Sequence, residues 1–178
     1  ERDVKKLPNR AEWESSMWRE LDGLMKPGQC CWTYVSKSSK PHDEKVYHGG
    51  MVFKIKPPQC GLDEVLKSRY CVRDPKRLQR LDALDTFSPM SRLETSRYLF
   101  SEAVERNWDV QQYDIEQAFP TAKLPKPVYM EVPKIILEAH PELAGCYCLV
   151  DRALYGLCHS PRAFNKHLDK KLSDNGYI

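Results

Sequence analysis

Large apolar side chains recur at spacings of three and four near the start of the chain. Trp13, Met17, Leu21 and Leu24 follow Asn9 and Glu12, and Lys26-Pro27-Gly28 ends the run. That period places the four on one face of an amphipathic helix, with Asn9 and Glu12 as its start signal. The texture then changes to short β-rich runs. Cys31 to Val35, Val46 to Lys56 and Val65 to Arg73 are separated by Ser, Lys, Pro, His and Asp punctuation and by Pro57-Pro58, which predicts a small antiparallel sheet.

A second helix is predicted after Ser91, where Glu94 completes a capping box and Leu93, Leu99, Phe100, Ala103 and Val104 supply an apolar face. It ends near Asn107. Trp108 to Ile115 is expected to be a strand, with Val110, Gln112 and Asp114 on one face and Asp109, Gln111, Tyr113 and Ile115 on the other. Asp114 then sits at the strand's exit. Val128 to Val132 and Cys146 to Val150 are expected as strands, with a short helix over Ile135 to Ala139 between them. A last helix is capped by Ser160, carries Pro161 in its first position and Phe164, Leu168 and Leu172 at intervals of four, and stops at Gly176. This order of elements predicts an α+β fold.

Composition adds bounds. The 178 residues suffice for one domain with a core, and 41% hydrophobic with 30% charged residues is an ordinary globular balance. No apolar run approaches the roughly 18 residues of a membrane span and no secretory leader opens the chain, so a cytoplasmic or nuclear, non-secreted protein with no membrane partner is expected. Glu1 at one end and Ile178 directly after the stop signal Asn175-Gly176 read as cuts in a longer chain. The seven cysteines fall into no secreted scaffold, and free thiols in a reducing compartment are expected. Cys146 and Cys148, with Cys158-His159, are spaced too closely for the usual paired zinc ligands.

The net charge of +3 is modest, but its distribution is uneven. Lys67 to Arg80 holds six Lys/Arg against one acid. Such a run suits phosphates, and it also suits a solvated surface.

Seven segments, in order, resemble the reverse transcriptase domain of copia-type retrotransposons. They are Arg10-Ala11-Glu12-Trp13 with Glu20-Leu21; Met51-Val52-Phe53-Lys54-Ile55-Lys56; Lys67-Ser68-Arg69-Tyr70-Cys71-Val72-Arg73; Thr86-Phe87-Ser88-Pro89; Asp114-Ile115 with Ala118-Phe119; Val128-Tyr129-Met130 with Pro133; and Leu154-Tyr155-Gly156-Leu157 with Ser160-Pro161-Arg162. Each is weak alone. Their order and their coverage of nearly the whole chain carry the resemblance.

The resemblance implies a right-hand polymerase, with fingers over residues 1–90 and a partial palm over 91–178. It implies template-directed DNA synthesis on an RNA or DNA template with primer, from deoxynucleoside triphosphates. Two Mg2+ (or Mn2+) ions serve such chemistry, and hard ions take oxygen ligands. Asp114 resembles the palm's first metal-binding aspartate, with the Ile115 backbone carbonyl as a further ligand. An Asp at a strand end is also an ordinary cap or turn residue. Phe119 resembles the aromatic residue beneath the incoming sugar that excludes a 2′-hydroxyl; plain core packing explains it equally well.

Lys67, Arg69 and Arg73 alternate on one strand and share a face; the first two resemble residues that grip the triphosphate. Lys54 and Lys56 on the neighbouring strand, with Arg73, are expected to track nucleic-acid backbone. Tyr155-Gly156 stands beside the nascent base pair by the same resemblance. Ser160 and Arg162 open a helix whose N-terminus suits template phosphate, although an ordinary strand-to-helix connection accounts for Ser160-Pro161 too.

The paired aspartates that complete such a centre are absent from the 178 residues, so no polymerase activity is expected of them alone. Integrase and ribonuclease H are the expected neighbours in a longer polyprotein, and a virus-like particle or the nucleus the expected site. Pro120 after Phe119, Cys158-His159 before Ser160 and Asp74 after Arg73 depart from the family pattern. A non-catalytic remnant that keeps nucleic-acid binding, or an unrelated α+β interaction module, are the alternatives.

Overall fold

The structure, a computed structural model, describes residues 7–58, 64–73 and 88–177. Positions 74–80 of the basic run, Cys60, and Thr86 and Phe87 of the Thr-Phe-Ser-Pro segment lie outside the described residues. The elements run α1 (Arg10–Leu24), β1 (Trp32–Ser36), β2 (Val46–Lys56), β3 (Val65–Arg73), α2 (Leu93–Glu105), β4 (Lys123–Glu131), α3 (Lys134–Ala139), β5 (Cys146–Arg152) and α4 (Ser160–Asp174). The fold is α+β, as the element order predicts. Five strands form one mixed sheet in the order β1-β5-β4-β2-β3. Its pairs are antiparallel except for a short parallel contact in which Val46 and Tyr47 meet Tyr129 and Met130. The sheet therefore takes strands from both sides of residue 90; the small antiparallel sheet expected from the three early runs is mixed at that one parallel contact, and β1 pairs with β5 rather than with β2.

Burial follows the periodicity. Trp13, Met17, Leu21 and Leu24 are all buried, and the core they enter contains Trp32, Met51, Tyr70, Val72, Met130, Ile136, Cys148, Val150 and Leu154. The Trp13 ring meets Phe53 of β2 edge-on at 5.2 Å, which seats α1 on the β2–β3 hairpin. Within the hairpin, the Tyr70 ring lies over Gly49, where any Cβ would overlap it. Among the described residues no helix is long and apolar enough to cross a membrane.

Three local expectations are corrected. Asn9 precedes α1 without a side-chain capping bond, and α2 is preceded by Arg92 rather than capped by Ser91. His159 occupies the cap position of α4, so Ser160 is its first helical residue. The helix stops do match. Asn107, at φ 51°, and Gly176, at φ 77°, are the left-handed residues of two Schellman endings. In these, the Trp108 N–H donates to Ala103 at 2.8 Å and the Tyr177 N–H to Leu172 at 3.0 Å.

The largest correction concerns 108–115, which forms no strand. Its alternation is real, but a strand needs a ladder partner, and no described strand pairs with it. The segment lies exposed with Trp108, Val110, Tyr113 and Ile115 in solvent, beside an α2 that exposes Leu93, Tyr98, Leu99, Phe100 and Val104.

Candidate functional site

Paired residues of a hairpin point to the same side, so the β2–β3 register sorts its side chains into two faces. Phe53/Ser68, Met51/Tyr70 and Gly49/Val72 face inward, where Ser68, Tyr70 and Val72 are buried. Lys54/Lys67, Val52/Arg69, Gly50/Cys71 and His48/Arg73 face outward, and Lys56 follows on that side beyond Lys54. Five cations thus share one face. Lys54 and Lys67 are directly opposite, an arrangement that costs stability unless an anion lies between them.

β3 is the sheet's outer strand, and its free backbone edge is bonded residue by residue. Ser16 of α1 donates its hydroxyl to the Leu66 carbonyl and accepts the Ser68 N–H, both at 2.9 Å. Glu20, one turn further along α1, accepts the Tyr70 N–H at 3.2 Å. The Val72 N–H donates to the Tyr155 carbonyl at 2.7 Å. An edge that would otherwise template foreign strands is closed, and the cationic strand is fixed in position.

The Tyr155 bond brings the next group in. Gly156, at φ 92°, packs backbone to backbone on Val72, where a Cβ would collide with the Val72 carbonyl oxygen. Tyr155 then receives the Arg69 guanidinium over its ring at 5.0 Å and the Phe119 ring at 4.9 Å. Phe119 also meets Phe164 of α4 edge-on at 6.0 Å. Of the residues expected from sequence, Arg69, Phe119, Tyr155 and Gly156 come together on one surface, with Lys67 two residues before Arg69 on β3.

Phe119 opens a short 3-10 turn through Thr121. The Arg152 guanidinium holds this turn by donating to the Pro120 and Thr121 carbonyls at 3.2 and 3.3 Å, and to the Gly28 carbonyl at 3.2 Å. Pro120 fits because a first-turn position needs no N–H. Asp114 is exposed on the extended stretch five residues before Phe119 and forms no hydrogen bond or ion pair with the described residues. Gln117, at φ 48°, lays its side-chain amide against the bare backbone of Gly23 in α1 and anchors this stretch to the helix.

Two further residues behave differently from expectation. Ser160 is fully buried and donates its hydroxyl to the Leu154 carbonyl at 2.6 Å, so it ties down α4 and does not face a phosphate. Arg162 is half-buried in the first turn of that helix. From the sequence Phe164 is visible only as an apolar position of α4, and Ser16 and Arg152 carry no signal of their own. Ser16 and Glu20 lie four apart on the helix face that points at the sheet, a signal that becomes legible only once the neighbour is a strand edge.

Burial pushes the Glu20 carboxyl upward, opposed by the Tyr70 N–H and the charges of Arg69 and Lys67. Burial likewise pushes the Cys31 thiol up to about 12 and raises Cys148, which favours the neutral thiol in both. The described residues contain no group of three His, Cys, Asp or Glu side chains placed to hold a metal ion.

A family model described as reverse transcriptase (RNA-dependent DNA polymerase) matches residues 30–178. The chain belongs to this reverse transcriptase family. It is similar to the retrovirus-related Pol polyprotein from transposon TNT 1-94 of Nicotiana tabacum, 26% identical over 99% of this chain and 13% of the relative. It is also similar to those from transposons RE1 and RE2 of Arabidopsis thaliana, 26% and 30% identical over 93% of this chain and 11% of each relative. The reverse transcriptase chain thus spans only 11–13% of the length of these polyproteins. No solved structure matches it. The copia-type resemblance read from the seven segments agrees with these relatives.

Proposed function

We propose that this reverse transcriptase segment supplies the triphosphate-binding face and the first metal-ligating carboxylate of a template-directed DNA polymerase. One observation carries the reading: Arg69, Tyr155 and Phe119, from three distant parts of the chain, meet in a cation-and-aromatic surface beside Lys67. An Arg fork and a Lys point charge suit a polyphosphate, and the two rings suit a sugar and a base. In this reading the hairpin and α1 are fingers, the Asp114 stretch begins the palm, and Lys54, Lys56 and Arg73 lie along template or primer phosphates.

Phe119 faces two ways here. Its ring is half-buried against Tyr155 and Phe164, and the remaining surface is what would bar a 2′-hydroxyl.

Asp114 is a hard, accessible oxygen donor of the kind Mg2+ or Mn2+ takes, with the Ile115 carbonyl next to it. One carboxylate is an incomplete donor set for two ions. Integrase and ribonuclease H as neighbouring domains, and a cytoplasmic virus-like particle or the nucleus as the compartment, belong to the same proposal.

Binding of dATP, followed by isothermal titration calorimetry on the chain, tests the reading. Arg69→Ala is expected to weaken it by about tenfold or more, the scale of one lost charge-assisted contact. Unchanged affinity would refute the assignment. Arg69 is exposed, so the fold is expected to survive the change.

A further inference from the structure

Glu20 stands out among the carboxylates. It is half-buried on α1, bonded to a backbone N–H of the cationic strand, and within Coulomb range of two of that strand's cations. Ser16 and the Tyr155 carbonyl satisfy the edge of β3 without charge, so a neutral acceptor would serve at this position too. A carboxylate brought out of water here carries a desolvation cost that an amide would not.

We propose that Glu20 is a positioning residue for the phosphate-binding face: it locks the β3 edge through Tyr70 and acts as the resident counter-charge to Arg69 and Lys67, which an incoming polyphosphate replaces. The inference rests on the reading of that face given above. The Tyr70 N–H follows Arg69 directly in the strand, so the bond that fixes the edge also fixes the backbone from which Arg69 reaches Tyr155. Without an anion, the negative charge of Glu20 offsets the repulsion among Lys54, Lys67 and Arg69. With a polyphosphate bound, the same charge opposes it.

Proton linkage follows. The groups facing Glu20 are Arg69, Lys67 and Cys71 of β3 and Cys31 ahead of β1. Burial already raises the carboxyl, and a bound polyphosphate raises it further, so binding takes up a proton at Glu20. Affinity through this group is highest when it is protonated and falls as pH rises through its folded value.

The test uses inorganic tripolyphosphate as probe, titrated calorimetrically into the chain and its variants between pH 5 and 7.5. Glu20→Gln keeps an oxygen acceptor for the Tyr70 N–H and removes the charge. It is expected to bind roughly three- to tenfold more tightly than the parent at pH 7.5, by the Coulomb energy of one charge at this range. The advantage is expected to shrink as the pH falls toward 5. The probe's own titration is common to both proteins and cancels in the comparison.

Hydrogen exchange at the Tyr70 amide reports the edge bond, expected to stay protected in Glu20→Gln and to exchange faster in Glu20→Ala. Equal or weaker binding by Glu20→Gln, or loss of Tyr70 protection in it, would overturn the role of Glu20. Arg69→Ala separates the two readings. If Arg69→Ala binds tripolyphosphate like the parent, the phosphate-binding face itself is wrong; if Arg69→Ala weakens binding and Glu20→Gln does not strengthen it, only the counter-charge role falls.

Discussion

Gly156→Ala is expected to cost the fold about 3 kcal/mol or more, from left-handed backbone strain together with overpacking in a site that cannot yield. The obstruction is the Val72 backbone, carbonyl oxygen and carbon together, and not the movable end of a side chain. Val72 is itself buried and held by the Tyr155 carbonyl, so relief requires the 154–157 turn to lift off β3. Lifting it takes the Tyr155 ring away from Arg69 and Phe119, so binding fails along with stability. Urea denaturation followed by tryptophan fluorescence measures the loss. A change below about 1 kcal/mol would mean that the turn is not docked as described.

Trp13→Ala is expected to cost about 3–5 kcal/mol, the range for removing a buried Trp. The ring is 3% exposed and packs edge-on against Phe53, so its removal leaves a cavity between α1 and the β2–β3 hairpin. Against the 5–15 kcal/mol total of an ordinary domain this is a large fraction. Because α1 also carries Ser16 and Glu20, the Ser68 and Tyr70 amides are expected to lose hydrogen-exchange protection before the β4–β5 pair does. Uniform loss across the sheet would show instead that α1 and the hairpin do not form a separable unit.

How far the sequence was legible depends on where the determining interactions lie. β2 and β3 match their expected ranges to the residue, because punctuation at both ends and a period of two are local properties. α1 was legible from four residues for the same reason. β4 starts five residues earlier than Val128, because Pro125 and Pro127 read as loop while the strand passes them at an irregularity between Lys123 and Val128. The parallel contact of β2 with β4 joins residues more than eighty positions apart, and nothing local encodes it.

The 108–115 stretch shows the converse. Its alternating pattern is sufficient for a strand in sequence terms, yet pairing is a property of two segments, and no described segment pairs with it. In the site, Arg69, Phe119, Tyr155 and Gly156 were legible through the motifs that contain them. The burial of Ser160 is not legible, because a Ser before Pro looks like a helix cap whether its hydroxyl faces solvent or, as here, the Leu154 carbonyl. Glu20 was visible only as half of a Glu-Leu pair; its bond to Tyr70 spans fifty residues.

One surface formed by β3, the Phe119 turn and the Tyr155–Gly156 turn is expected to receive a deoxynucleoside triphosphate. Photolabelling with 8-azido-dATP, followed by peptide mapping of the modified sites, tests it most directly. Label is expected on peptides carrying Arg69, Phe119 or Tyr155, suppressed by excess dATP. Label confined to other peptides, or label on these that excess dATP does not suppress, would contradict it.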